Sequence, residues 1–335
     1  MCFICGNNIN HGANPEKLYA AFNVKMPERI IDFSTNTNIL SWPEISINVK
    51  ELASSYPDYE CAKLVKIIAE RENISQSRIL FTNGINEAIF LLARLFEGQN
   101  TGILQPCYSE YLRAFRDVQA VFTIEGASRF DNFILVNPNN PTGYYINNLS
   151  EIIARYPETR FIIDEAYIDF LININASPER LCGFENVIIL RSLTKIFHLS
   201  GVRIGYVIAN ESIINSLRNL QPTWSVNAVA QELALYFLND TGFYERTRAF
   251  YTKEVPVFMQ SLREAGIDVM NSSVHYFLVK VHDDYELIKY LLRHGLVVRH
   301  TRNFAGLEGK YIRVAARHSH ENKLLLEALT SCGAL

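Results

Sequence analysis

The chain has no apolar run long enough to span a membrane, no block of one charge sign, no repeat and no low-complexity tract. The first absence excludes a helical membrane protein, because a span needs about 20 consecutive apolar residues. With 32 Lys and Arg against 35 Asp and Glu, and a net charge of -3, there is no broad basic surface for nucleic acid or anionic lipid. No Pro- or Gly-rich linker appears, so neighbouring domains are expected to pack together and not hang from a tether. Cysteine is sparse: six residues, of which only Cys2 and Cys5 lie close. Without a second pair or a Cys/His partner at zinc-ribbon spacing, those two are expected to be reduced thiols with no metal. The first residues lack the basic and apolar regions of a secretory leader, which points to the cytoplasm.

What the chain does have is a globular composition, 48% hydrophobic and 20% charged, over a length that suits two domains. From residue 78 short apolar runs alternate with helical segments. Strands are expected over 78–82, 102–105, 132–137, 160–164 and 186–190, with helices over 86–96 and 110–115. Apolar runs that are continuous and not alternating read as buried parallel strands, hence an α/β domain with a mainly parallel sheet flanked by helices. Beyond residue 235 the pattern changes to a long charged helix (244–265), a strand (275–281), a helix (285–294) and strands at 297–299 and 311–315. The expected partition is a large domain over 45–234 and a smaller α+β domain from 1–44 and 235–335.

Unusual residues collect where three of these strands end, which in open parallel sheets is where ligands bind. One strand runs into Asn137-Pro138-Asn139-Asn140-Pro141-Thr142-Gly143, the next into Asp164-Glu165-Ala166-Tyr167, and the third into a segment holding Ser192, Thr194 and Lys195, with Arg203 eight residues further on. A lysine can form an imine with an aldehyde, and hydroxyls beside a guanidinium can hold a phosphate. One small molecule carries both groups, pyridoxal 5′-phosphate (PLP), whose partners in proteins are a Schiff-base lysine and a charged group at the pyridine nitrogen.

In order and spacing these motifs resemble the fold-type I PLP-dependent enzymes, within them the class I/II aminotransferase superfamily, from His11 to Arg317. The resemblance implies that Lys195 anchors the cofactor and carries protons, that Asp164 pairs with the pyridine nitrogen, and that Asn140 and Tyr167 bond the phenolic oxygen. It implies that Tyr108 stacks on the ring, and that the helix start Gly84-Ile85-Asn86 joins Ser192, Thr194 and Arg203 around the phosphate. Tyr56 matches a residue that reaches the phosphate of a neighbouring subunit, which implies a homodimer. Arg313, in Tyr-Ile-Arg-Val-Ala-Ala, matches the arginine that receives the substrate carboxylate.

Two branches of the superfamily share more, the threonine-phosphate decarboxylases and the histidinol-phosphate aminotransferases. His11-Gly12-Ala13-Asn14, Asp32-Phe33-Ser34-Thr35-Asn36-Thr37-Asn38 and Trp224-Ser225-Val226 are similar to motifs of the decarboxylases, with Ala13 at one of their glycines. Their Arg-Asp-Cys is Arg299-His300-Thr301 here. The resemblance therefore implies a small phosphorylated amino acid as substrate, held by His11, Asn14, Asn36, Arg299 and Arg313, with Arg302 a weaker candidate.

Overall fold

A computed structural model describes residues 12–172 and 178–332 of the chain. A two-residue strand β1 (Ile31–Asp32) precedes seven strands that form the main sheet: β2 (Ile79–Thr82), β3 (Thr101–Leu104), β4 (Gln119–Val121), β5 (Asn132–Val136), β6 (Arg160–Asp164), β7 (Val187–Ser192) and β8 (Gly205–Ile208). Their spatial order is β2-β8-β7-β6-β5-β3-β4. All neighbours are parallel except β8, which runs antiparallel to both β2 and β7.

The central strands are apolar throughout because both faces of the sheet are covered. Phe133, Leu135, Phe161, Ile163 and Ile189 belong to one buried cluster, while Ile134, Val136, Ile162, Ile188 and Leu190 belong to another on the opposite face. This alternation fixes where the polar residues at the strand ends point. Asp164 and Ser192 continue the second set, whereas Glu165 and Arg191 continue the first. The second face is packed by the helix Gly84–Leu95, which buries Ile85, Ala88, Ile89 and Leu92.

Four further strands lie in the C-terminal part: β9 (Tyr276–Lys280), β10 (Leu296–Val297), β11 (Arg299–His300) and β12 (Tyr311–Ala315). Strands β11, β12 and β9 form an antiparallel sheet, and β10 pairs in parallel with β1. The N-terminal segment thus runs alongside C-terminal strands, an arrangement extended by Phe33 N–H to Val297 O (2.7 Å) and Ala315 N–H to Phe33 O (3.0 Å). The expected single strand at 297–299 is two strands. Val298 separates residues that pair with β1 from residues that pair with β12, so the run serves two sheets. Other expected elements shift only at their ends: the helix expected from 86 begins at Gly84, and the long helix is Thr241–Glu264.

Candidate active site

The ends of β5, β6 and β7 open onto a cleft that also reaches the antiparallel C-terminal sheet. Asn36, Ile85, Asn86, Tyr108 and Asn140 line it, as do Asp164, Tyr167 and Ser192. Thr194, Lys195, Arg203, Arg299 and Arg313 complete the group of expected site residues found there. Residues more than 200 positions apart in sequence meet in this one space.

Asp164 is buried and makes no ion pair among the described residues; its two oxygens are held by neutral donors. Tyr111 O–H donates to Oδ2 at 2.9 Å and the backbone N–H of Ala166 to Oδ1 at 2.9 Å. Burial pushes its pKa up, and these two bonds together with the charge on Lys195 pull it back. Lys195 is shifted the other way, down to about 8, by burial and then by the nearby charges of Arg313 and Arg203, with Asp164 opposing. A lysine in that range exchanges a proton readily near neutral pH.

Tyr167 is buried and its phenol is pushed up by burial, so it stays protonated. Asn36 Nδ2 donates to its hydroxyl at 2.5 Å. The backbone of the same N-terminal stretch makes two more contacts, Asn38 N–H to Lys195 O (2.9 Å) and His275 Nε2 with Asn36 O (3.0 Å). His275 is held neutral, with its pKa lowered to about 3 chiefly by burial.

The phosphate end can be tested against the chain itself. The helix Gly84–Leu95 begins without a side-chain cap, which leaves its first N–H groups to an outside acceptor. Gly84 has φ +72°, and a Cβ there would lie 2.7 Å from Arg203 Nη2. Only glycine lets the helix start and the guanidinium approach each other so closely. Free amides, the hydroxyl of Ser192 and a guanidinium form a donor set suited to a phosphate, while the hydroxyl of Thr194, beside them in the cleft, donates to Ile204 O at 3.1 Å. A buried carboxylate bonded only by neutral donors and a lysine of depressed pKa suit a pyridine nitrogen and an aldehyde. The residues present fit PLP.

At the other end of the cleft, Arg299 on β11 and Arg313 on β12 are directly opposite in the antiparallel register. Opposed residues project from the same face, and like charges so placed repel. Both are nearly fully buried, at 3% and 4% exposure. Arg313 donates to Asn140 Oδ1 at 2.5 Å and to Ser34 O at 2.8 Å, leaves Nε without a hydrogen-bond partner and makes no ion pair among the described residues. Arg299 donates to Asn303 Oδ1 at 2.6 Å and stands over the ring of Phe304. Arg313, a buried guanidinium held by neutral acceptors, is suited to an anionic group entering the cleft.

Some expected residues lie elsewhere. Asn14 caps the helix Pro15–Ala21, accepting from Lys17 N–H, and does not line the cleft. Arg302 is committed to the Asp283 and Asp284 carboxylates. Tyr56 is 80% exposed and stacked on Trp224, at 4.5 Å between ring centroids. His11, Cys2 and Cys5 lie outside the described residues. Tyr111, Ser34, Gly12, Ala13 and Phe304 belong to the site without having been marked as such by the sequence. Tyr111 carried a usable signal, one helical turn after Tyr108.

This architecture and this constellation are those of fold-type I PLP enzymes. The sequence profile described as aminotransferase class I and II matches residues 31–329, and the chain belongs to that family and is a PLP-dependent enzyme. It is 28% identical to the threonine-phosphate decarboxylase of Salmonella typhimurium, covering 96% of each chain. It is also 28% identical to the adenosylcobalamin biosynthesis bifunctional protein CobDQ of Leptospira interrogans over 91% of its own length, but spans only 39% of that protein. Among solved structures, L-threonine-O-3-phosphate decarboxylase from Porphyromonas gingivalis superposes with a TM-score of 0.78 at 27% identity, covering 85% of this chain and 92% of that one. Histidinol-phosphate aminotransferase from Clostridium acetobutylicum gives 0.80 at the same 27% identity, over 89% and 98%. Among the described residues no helix is long and apolar enough to cross a membrane.

Proposed function

We propose that the enzyme decarboxylates L-threonine O-3-phosphate to (R)-1-amino-2-propanol O-2-phosphate, a step of cobalamin synthesis. The observation that carries this reading is the pair Arg299 and Arg313, opposed across two strands in the cleft that holds Lys195. A carboxylate meets Arg313, which has only neutral acceptors, and a phosphate on the same substrate lies toward Arg299 on the opposed strand. The decarboxylase-like motifs around Asn36 and Trp224 and the threonine-phosphate decarboxylases among the relatives support the same choice, while histidinol-phosphate aminotransferase is equally similar and is the alternative.

When bound, PLP supplies a conjugated electron sink next to the substrate's Cα. In this reading Arg313, steadied by Asn140 and Ser34 O, receives the carboxylate in a bidentate contact and orients the bond to be broken. Arg299 takes the phosphate, with Asn36 as a further donor lining the cleft, and the sequence resemblance assigns His11 to the same anion. The Cα–carboxylate bond breaks, its electron pair remains on the Cα side, and Lys195 returns a proton to Cα as CO2 leaves. Asp164 holds the proton on the ring nitrogen, and Tyr167 and Asn140 hold the phenolic oxygen. Tyr108 covers the ring, and Gly84, Ile85, Asn86, Ser192, Thr194 and Arg203 hold the cofactor phosphate. Tyr56, exposed and stacked on Trp224, is assigned to the site of a second copy in a homodimer.

The test is to incubate the PLP-loaded enzyme with L-threonine O-3-phosphate and assay for CO2 and the phosphorylated amino alcohol in equal amounts. Release of a keto acid with pyridoxamine phosphate, or turnover of histidinol phosphate with 2-oxoglutarate, overturns the decarboxylase reading in favour of an aminotransferase.

A further inference from the structure

We propose that Tyr111 is a positioning residue for the cofactor's ring nitrogen, acting through Asp164. Its hydroxyl donates to Asp164 Oδ2 at 2.9 Å, and with Ala166 N–H on Oδ1 each carboxylate oxygen receives one donor. Two donors on two oxygens fix the plane of the carboxylate as well as its place. Tyr111 is fully buried and packs in the same cluster as Ile134, Ile162 and Leu190. In such a setting phenylalanine would fill the space without burying a hydroxyl, and a buried hydroxyl is tolerated only where it is bonded. The polar end of Tyr111 is therefore there for Asp164. One short segment performs two tasks: Tyr108, at the cap of the helix Ser109–Ala114, lines the cleft, and Tyr111, one turn on, reaches the carboxylate.

The chemistry follows from the bond's direction. Burial drives the Tyr111 phenol well above its ordinary value, so it donates at every working pH. A donor that cannot ionise favours the charged form of its acceptor. Burial alone would move Asp164 toward its neutral acid, and Tyr111 opposes this. Of the other groups electrostatically coupled to Asp164, Lys195 favours the anion, while Cys107, Tyr108, Tyr167 and Tyr276 are neutral groups whose own pKa values are raised by burial. An ionised, oriented Asp164 is what a protonated ring nitrogen requires, whichever substrate is turned over.

The experiment is a fluorescence titration of the apoenzyme with PLP as a function of pH, for the unaltered protein and for Tyr111→Phe. The expected result is cofactor binding about tenfold weaker at neutral pH, the size of one lost bond to a charged group. The loss of affinity on acidification should also begin about one pH unit higher, because Asp164 without its donor takes up a proton more easily. Wild-type affinity and pH profile in a variant that has merely lost thermal stability would overturn the proposal and leave Tyr111 a packing residue. A second comparison uses Asp164→Asn with and without Tyr111→Phe. If Tyr111 acts through Asp164, the second substitution adds less than about twofold, whereas a further tenfold loss would place its action elsewhere.

Discussion

Asp164 and Glu165 are successive, buried carboxylates at the end of one strand, and they are treated oppositely. Glu165 faces away from the cleft and is closed by an internal cation: Arg191 Nε donates to it at 2.5 Å, and Glu72 lies 3.9 Å from the same guanidinium. Asp164 faces the cleft and receives only neutral donors. The arginines follow the same division. Arg191 behind the sheet and Arg302 at the periphery are matched with carboxylates, but Arg313 in the cleft is held by Asn140 and Ser34 O. Behind the sheet, buried charge is complete within the chain. In front of it, buried charge is arranged to be completed by what binds. The front should therefore be expendable for stability and indispensable for function, and the back the reverse.

The largest contrast is expected at Lys195. Lys195→Ala should abolish turnover and leave PLP removable by gel filtration, without lowering the thermal stability of the apoprotein. A variant that unfolds at a markedly lower temperature would show that the lysine supports the fold. Behind the sheet Glu165→Gln should cost about 3–5 kcal/mol in chemical denaturation, because it leaves the Arg191 guanidinium buried without its closest anion. If that variant is as stable as the parent, the pair contributes nothing net.

A smaller effect is expected at the helix start. Gly84→Ala forces a side chain into the left-handed region and against Arg203, and should cost about 1–2 kcal/mol of stability while weakening PLP binding. Loss of stability with unchanged PLP affinity would detach Gly84 from the phosphate site.

A further effect, of a different kind, is in pH dependence. The pKa of Lys195 lies at about 8 in the folded chain against 10.5 in the unfolded one, so between those values the unfolded state binds the extra proton. Apoprotein stability should rise with pH through that window, and the rise should be smaller in Lys195→Met. Parallel stability profiles for the two proteins would mean that the lysine is not desolvated.

Much of this division was legible in the sequence, and the exceptions have physical causes. Strand β6 is read correctly at both ends because Phe161, Ile162 and Ile163 form a continuous apolar run bounded by polar residues. Strand β8 escapes notice because it begins with Gly205, where a Cβ would lie 2.8 Å from Arg191 O, and because it lies antiparallel among parallel neighbours. Several candidate cofactor residues announce themselves through spacing, since Asp164 and Ser192 end strands and Lys195 follows three residues later, whereas Arg203 precedes β8. Arg302 has the same chemistry as Arg299, and nothing local in the sequence shows that Asp283 and Asp284, about 18 positions earlier, engage it. Tyr111, one helical turn after Tyr108, signals its nearness to the site, but its bond to Asp164 is seen only in the fold. The opposition of Arg299 and Arg313 likewise depends on strand register, which composition does not encode.

The contrast between the two faces is tested most directly by thermal unfolding of the apoproteins Asp164→Asn and Glu165→Gln beside the parent, with and without PLP. Without PLP, Asp164→Asn should be at least as stable as the parent and Glu165→Gln clearly less stable; added PLP should then stabilise the parent more than it does Asp164→Asn. Equal destabilisation by the two substitutions in the absence of PLP would contradict the account, because Asp164 would then already have its partner within the chain.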